Sequence, residues 1–523
     1  MSARPEKVDA VVVGAGAAGS LYAARLAQAG KSVVVLEAGP PWEMSDLVSS
    51  QIWARRLKWG GPPVEQTSQP RTFGHNSNMG SGYGGAALHH FGTWPRMPAD
   101  AFRLKSLHGR GLDWPFDYDE LRPWYDRIQA EVGISGDAAA EPWRPPGAPY
   151  PMPGLQQFAQ GRILARGFER LGLPVAPLPA AITTIEFKGR PPCQYDGWCD
   201  AGCPIHALAN PLATHLLQAR DAGAELRPHS TVLALLPGEH ERAAGVEYAD
   251  RQGTRIRQEA DLVVLAAAVV QNPRILLNSR GPRWEAGAGN RSGMVGRYLM
   301  LDGAGAVYGM FSESTENHLG VSAGQLMHRA LYGEREGAPF GSYQWQIGWA
   351  MKPNDIFGVA ISRPDLFGQP LHDFIRRGSR HLANMVAMVE QTADPANLVE
   401  LGTGTDRFGT PLPRIVHSFG RDTTSLWQYC AEEGQRVMNA AGAKETWAGR
   451  MNGGHPAGGT IMGNDPGTSV ADSNGRLHEI PNVVVAGSGL HPATGGASPT
   501  FTLLAVAERS ADHVIRNWAE LSA

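Results

Sequence analysis

The stretch from Asp9 to Ser20 constrains this chain more than any other. An uninterrupted apolar strand runs into Gly14, Gly16 and Gly19 at the G-x-G-x-x-G spacing. Such an all-apolar run belongs to a strand covered on both faces. Gly14 allows a tight turn, Gly16 lets backbone approach a pyrophosphate, and Gly19 lets the following helix, Leu21 to Ala29, pack closely on the strand. A second strand, Ser32 to Glu37, follows at the expected distance and ends in an acid suited to ribose hydroxyls. The sequence therefore predicts an α/β protein with a Rossmann-like domain that binds an adenine dinucleotide.

At 523 residues the chain exceeds one ordinary core, and two domains are expected. Buried β character returns at His229 to Leu236, Ala244 to Ala249 and Asp261 to Ala266, the last leading into a helix at Asn272 to Asn278. It returns once more at Asn482 to Ala486, before a Gly-rich turn and a long helix from Thr500 to Ala519. From about 300 to 445 the texture differs: aromatic alternation at Tyr343 to Trp349 predicts an antiparallel sheet with one buried face. The proline-rich stretch Ala138 to Pro153 excludes helix and is expected to cross the surface between domains. The resulting division is a discontinuous dinucleotide domain of 1–100, 183–300 and 446–523, interleaved with an α+β substrate domain of 101–182 and 301–445.

Three of the four cysteines, Cys193, Cys199 and Cys203, fall within eleven residues. With Cys430 far away this is no disulfide framework, and thiolates are preferred ligands of iron–sulfur clusters and zinc. Zinc normally takes four ligands, and neither His206 nor Cys430 completes a familiar spacing. Three structural thiols are the remaining alternative. A net charge of −3 gives no basic face for nucleic acid, and no apolar run approaches the roughly 20 residues of a membrane helix. The first residues run into the first strand without an apolar leader, so export is expected to depend on a partner's signal.

Together these features resemble the glucose–methanol–choline (GMC) oxidoreductases, FAD enzymes that oxidise alcohols. The resemblance spans nearly the whole chain. It is carried by Gly14 to Gly19 with Glu37, the loop Gly82 to Gly85, the segment Ala266 to Leu277, and His455 to Gly463 with Val485 to Ser488. Within the family, Gly109 to Tyr125 and the C-x5-C-x3-C of Cys193, Cys199 and Cys203 are similar to catalytic subunits of bacterial membrane-linked glucose, fructose and gluconate dehydrogenases. The resemblance implies the GMC fold, with Gly84, Gly85, His89, Val232, Gly487 and Ser488 at the FAD. It also implies a 3Fe-4S cluster on the three cysteines, with Asp196 where related loops have a fourth.

Removing a hydride from an alcohol carbon needs a base for the hydroxyl proton, and the resemblance puts it at His455. The family usually adds a second His or Asn some forty residues on. Here Ser498 holds that position, a shorter group that still donates and accepts hydrogen bonds. His491 is a substitute or a packing residue, and His89 is a flavin-lining side chain or the site of a covalent flavin bond. Tyr343, Trp345 and Trp349 either stack on a sugar ring or fill the core.

The expected substrate is a sugar, sugar acid or polyol. A small exported chaperone-like subunit and a cytochrome c subunit are the implied partners, giving a periplasmic or membrane-associated location through a partner and otherwise a cytoplasmic one. Two other functions fit the same residues: an FAD oxidase using oxygen directly with the cysteine loop structural, and a flavoprotein electron-transfer or scaffold subunit whose alcohol chemistry has decayed.

Overall fold

The computed structural model describes residues 5–67, 72–73, 79–334 and 337–522, and in them two seven-stranded sheets and a three-stranded one carry the fold. The first sheet grows around Val8–Val13. Its neighbours Val11 and Val12 point to opposite faces and both are fully buried, so the sheet is covered on both sides. Val33–Leu36 pairs with it in parallel on one side, and Arg255–Leu265 on the other. Glu225–Arg227 adds a further parallel strand, and Val483–Val485 returns from far along the chain to pair in parallel with Val263 to Leu265. Ala243–Ala249 and Thr231–Pro237 extend the sheet antiparallel.

The second sheet is antiparallel, in the order Glu445–Ala448, Met300–Met310, Leu382–Val389, Tyr343–Ile347, Leu326–Ala330 and Ala176–Pro177. Asn452–Ala457 also pairs with Met300–Met310. Tyr343–Ile347 forms the expected strand, yet it is buried at every position instead of on one face. Tyr343 Oη and Trp345 Nε1 both donate to Glu433 Oε1, at 2.8 and 3.0 Å, on the helix Arg421–Ala441. Gln344 and Gln346 take the other face, where both meet Ser498 and Gln346 lines the cavity. The polar residues there belong to an interior.

Glu445–Ala448 and Asn452–Ala457 both pair with Met300–Met310 in the antiparallel sheet, and the chain regains the parallel sheet only at Val483. The helix Tyr118–Val132 shares an apolar core with the parallel sheet. Tyr125 Oη lies 2.7 Å from Thr502 Oγ1, and its ring is 4.7 Å from that of Phe501, on the helix Thr500–Arg516. The proline-rich stretch has neither helix nor strand, but it is tied down: Tyr118 Oη donates to the Pro146 carbonyl at 2.5 Å and Gln129 Nε2 to that of Pro149 at 2.8 Å. Among the described residues no helix is long and apolar enough to cross a membrane.

Candidate active site

Gly14 ends the first strand with φ at +100°, and a Cβ there would lie 2.6 Å from the Ala266 carbonyl oxygen. Gly16 caps the helix Ala17–Gln28, and a Cβ on it would meet nothing within 4 Å. This open space sits at a helix N-terminus, where free N–H groups and the helix dipole attract phosphate. Gly19 serves packing, since its Cβ would fall 2.0 Å from the Gly14 carbonyl oxygen. Gly84, with φ at +92°, donates its N–H to Ala15 O at 2.9 Å, and Gly85 passes over Gly16. The fingerprint and the loop Gly82 to Gly85 thus form one cradle.

Glu37 holds that cradle together. Its Oε2 accepts from the Ala15 N–H and its Oε1 from the Gly39 and Gly82 N–H groups, each at 2.9 Å. Burial raises its pKa, while these N–H groups pull the other way. The sequence expectation of ribose binding understated this acid, which ties three loops and still lines the cavity.

That cavity, of about 1850 Å³, runs from the cradle to the antiparallel sheet. Gly14, Gly16, Glu37, Gly85, His89 and Val232 line it, and so do His455, Gly487, Ser488 and Ser498. Gly19 and Gly84 stand behind the lining. An open helix start, glycines where backbone must come close and a buried acid are what a dinucleotide requires, so the residues present fit FAD. His90 also lines the cavity, and burial lowers its pKa to about 4, so it is neutral at ordinary pH. His491 lies outside the lining, fully buried with its ring 4.9 Å from that of Trp114, and burial lowers its pKa to about 3. It packs. Tyr343 and Trp345 are core, whereas Trp349 lines the cavity.

His455 lies on Asn452–Ala457, where pairing to Met300–Met310 shifts register between Gly453 and Pro456. Such irregularities re-aim side chains. Here His455 faces Asp302, which is fully buried with no hydrogen-bond partner on either carboxylate oxygen. Asp302 Oδ2 is 3.7 Å from His455 Nδ1, also buried and unpartnered. Nε2 is then the nitrogen left for the cavity. Ser488 Oγ donates to the Pro456 carbonyl at 2.9 Å, fastening this segment to the end of the parallel sheet.

Ser498 Oγ receives Gln344 Nε2 at 3.2 Å and Gln346 Nε2 at 3.3 Å. Its turn is anchored by Glu390, which accepts from the Gly495 and Ser342 N–H groups and from Tyr332 Oη, and whose pKa burial raises to about 7. Asp302, Gln344, Gln346 and Glu390 were not singled out by sequence reasoning. The glutamines had a faint signal in the alternation with Tyr343 and Trp345; Asp302 had none, because its neighbour comes from 150 residues away.

Cys193, Cys199 and Cys203 share one apolar cluster, each accepting a backbone N–H: from Tyr195 at 3.3 Å, Ser322 at 3.5 Å and Leu208 at 3.3 Å. Burial raises all three thiols, Cys193 to about 12; charge on Cys203 raises Cys193 further, and charge on Cys193 and Cys203 raises Cys199. Thiols raised in this way are protonated at neutral pH. Among the described residues no three His, Cys, Asp or Glu side chains could hold a single metal ion. Ser322 and Asp200 line the cavity, so Cys199 is one residue away from it.

A phosphate cradle opening onto a histidine and a hydroxyl in one cavity defines a dinucleotide-dependent oxidoreductase. The chain belongs to the GMC oxidoreductase family, which matches it over residues 8–302 and 358–507. FAD is the cofactor that membership brings. The chain is 28% identical to the fructose dehydrogenase large subunit of Gluconobacter japonicus, over 99% of each chain. It is 29% identical to paromamine 6'-oxidase of Streptomyces fradiae, over 97% of this chain and 91% of that one. Among solved structures, a formate oxidase of Aspergillus oryzae RIB40 studied for FAD modification superposes with a TM-score of 0.68 at 15% identity, over 99% of this chain and 100% of the other.

Proposed function

We propose that this chain oxidises a secondary or primary alcohol group of a sugar, sugar acid or polyol, with His455 as the base. The observation that carries the reading is the buried, unpartnered Asp302 carboxylate 3.7 Å from His455 Nδ1, beside a dinucleotide cradle in one cavity. With a proton on Nδ1 attracted toward Asp302, Nε2 presents a lone pair to the substrate hydroxyl and takes its proton. Ser498 and His455 orient the hydroxyl from two elements of the fold. The bound flavin supplies the two-electron acceptor for the hydride.

Cys193, Cys199 and Cys203 would hold a 3Fe-4S cluster, which would supply a one-electron route from the flavin to a cytochrome or quinone carried by partner subunits. In support, the three sulfurs share one apolar cluster and receive backbone N–H groups of the kind that tune such clusters, and Cys199 sits one residue from the cavity. A second reading, an FAD oxidase with these thiols structural, is favoured by the finding that among the described residues no three His, Cys, Asp or Glu side chains are placed to hold one metal ion, and by the oxidase relative.

The test is anaerobic addition of D-fructose, D-gluconate, glycerol and paromamine to the purified flavoprotein, with iron and acid-labile sulfide assayed on the same sample. Bleaching of the flavin by one of them, lost in His455→Ala, is expected, together with iron near three per chain. Bleaching without iron and with stoichiometric peroxide in air would establish the oxidase; a flavin that no alcohol bleaches would sink both.

A further inference from the structure

Ser498 has a hydrogen-bond polarity that the surrounding side chains dictate. The residue is 4% exposed, and its Oγ meets two amide groups, Gln344 Nε2 and Gln346 Nε2. Gln344 has no choice of orientation, because its Oε1 accepts from Arg329 Nη2 at 2.7 Å and a guanidinium only donates. Arg329 is itself buried and fixed by Nη1 to the Arg96 carbonyl oxygen at 2.8 Å. The amide of Gln344 must therefore give its N–H to the serine.

A hydroxyl oxygen that accepts twice has its own proton left to give. Ser498 lines the same cavity as His455, so that proton is available to a group held there. We propose that Arg329, Gln344 and Gln346 make Ser498 a one-way hydrogen-bond donor to the substrate oxygen, with Gln344 a positioning residue that acts through the serine. The inference rests on the alcohol-oxidation reading. In that reaction the hydroxyl proton passes to His455, the carbon gives its hydride to the flavin, and the C–O bond becomes C=O. Negative charge gathers on the oxygen as its proton leaves, and the Ser498 O–H stabilises it without transferring a proton. A division of labour results: the histidine accepts and the serine donates.

Acetate, an anion that only accepts hydrogen bonds, reads this polarity without turnover. It is titrated into the oxidised, FAD-loaded protein and followed by the flavin difference spectrum. Ser498→Ala and Gln344→Glu are each expected to weaken acetate binding about tenfold or more, and Ser498→Thr to preserve it. On the Ser498→Ala background, Gln344→Glu should cost less than about threefold, because its route through the hydroxyl is gone. A simple charge effect of the new carboxylate would cost the same on both backgrounds and overturn the proposal, as would wild type showing no acetate response. If Gln344→Glu fails to retain flavin, Gln346→Leu removes the second donor without adding charge, and an unchanged acetate affinity there counts against the proposal. With a substrate that bleaches the flavin, Ser498→Ala and Gln344→Glu should lower kcat by about 100-fold with little change in KM. If no alcohol bleaches wild type, the alcohol-oxidation reading fails while the acetate titration still reports on the serine.

Discussion

The two large sheets furnish opposite walls of one cavity by different means. The parallel sheet offers backbone: bare glycines, a helix start, and N–H groups gathered by Glu37. The antiparallel sheet offers side chains: His455 from its edge and Gln346 from its middle line the cavity, with Asp302 and Gln344 behind them. A wall of backbone recognises what every dinucleotide shares. A wall of side chains decides which proton moves, and single substitutions can rewrite it while the cofactor stays bound.

The sharpest way to break the comparison is His455→Ala. Its turnover should fall by about 10²–10⁴-fold with flavin content unchanged, as read by stopped-flow reduction and by absorbance of the purified protein. Flavin lost in step with activity would show that the walls are not separable. Next in size is Asp302→Asn, which keeps shape and removes the charge facing Nδ1; a drop of about 10- to 100-fold in kcat with KM within a factor of about three is expected. An unchanged rate constant would deny Asp302 a part in orienting the base.

On the other wall, Gly19→Ala drives a methyl into the Gly14 carbonyl, whose oxygen is 2.0 Å from the ideal Cβ position. Thermal unfolding should report a loss of about 1–3 kcal/mol, and gel-filtered protein should carry less flavin, while the FAD-loaded fraction keeps its rate per flavin. A normal flavin content at normal stability would show that the cradle tolerates what its geometry forbids.

The smallest effect concerns pH. His491 has a pKa of about 3 when folded and an ordinary value of 6.5. Between these the unfolded chain binds the extra proton, so this residue's contribution is present above pH 6.5 and is lost as pH falls toward 3. Glu390, raised to about 7, acts in the opposite sense. His491→Phe should therefore flatten the acid side of a plot of melting temperature against pH, and an unaltered slope would mean that His90 or other groups dominate it.

The same contrast explains what could be read in advance. Gly14, Gly16, Gly19 and Glu37 lie within one βαβ unit, so local spacing encodes their meeting. Asp302 and His455 meet only because an edge strand pairs with Met300–Met310 out of register, and no spacing in the chain records that slip. Alternation correctly marked Tyr343–Ile347 as a strand, but not that its polar side faces an interior, since that depends on what covers the sheet. The position of Ser498 was legible from the Gly-rich turn before the last long helix. Its polarity was not, because Arg329 and Gln344 fix it from two other strands.

The pairing of Val483–Val485 with Val263 to Leu265 has a consequence for synthesis. At translation rates of about 5–20 residues per second, the opening strand Val8–Val13 leaves the ribosome roughly half a minute to a minute and a half before that last strand exists. During that interval the nascent sheet has one edge incomplete, and Arg25 has not yet met Glu508 on the helix that will cover it. A chain built in this order is a natural client for chaperones, and flavin supplied early in synthesis would find only half of its seat.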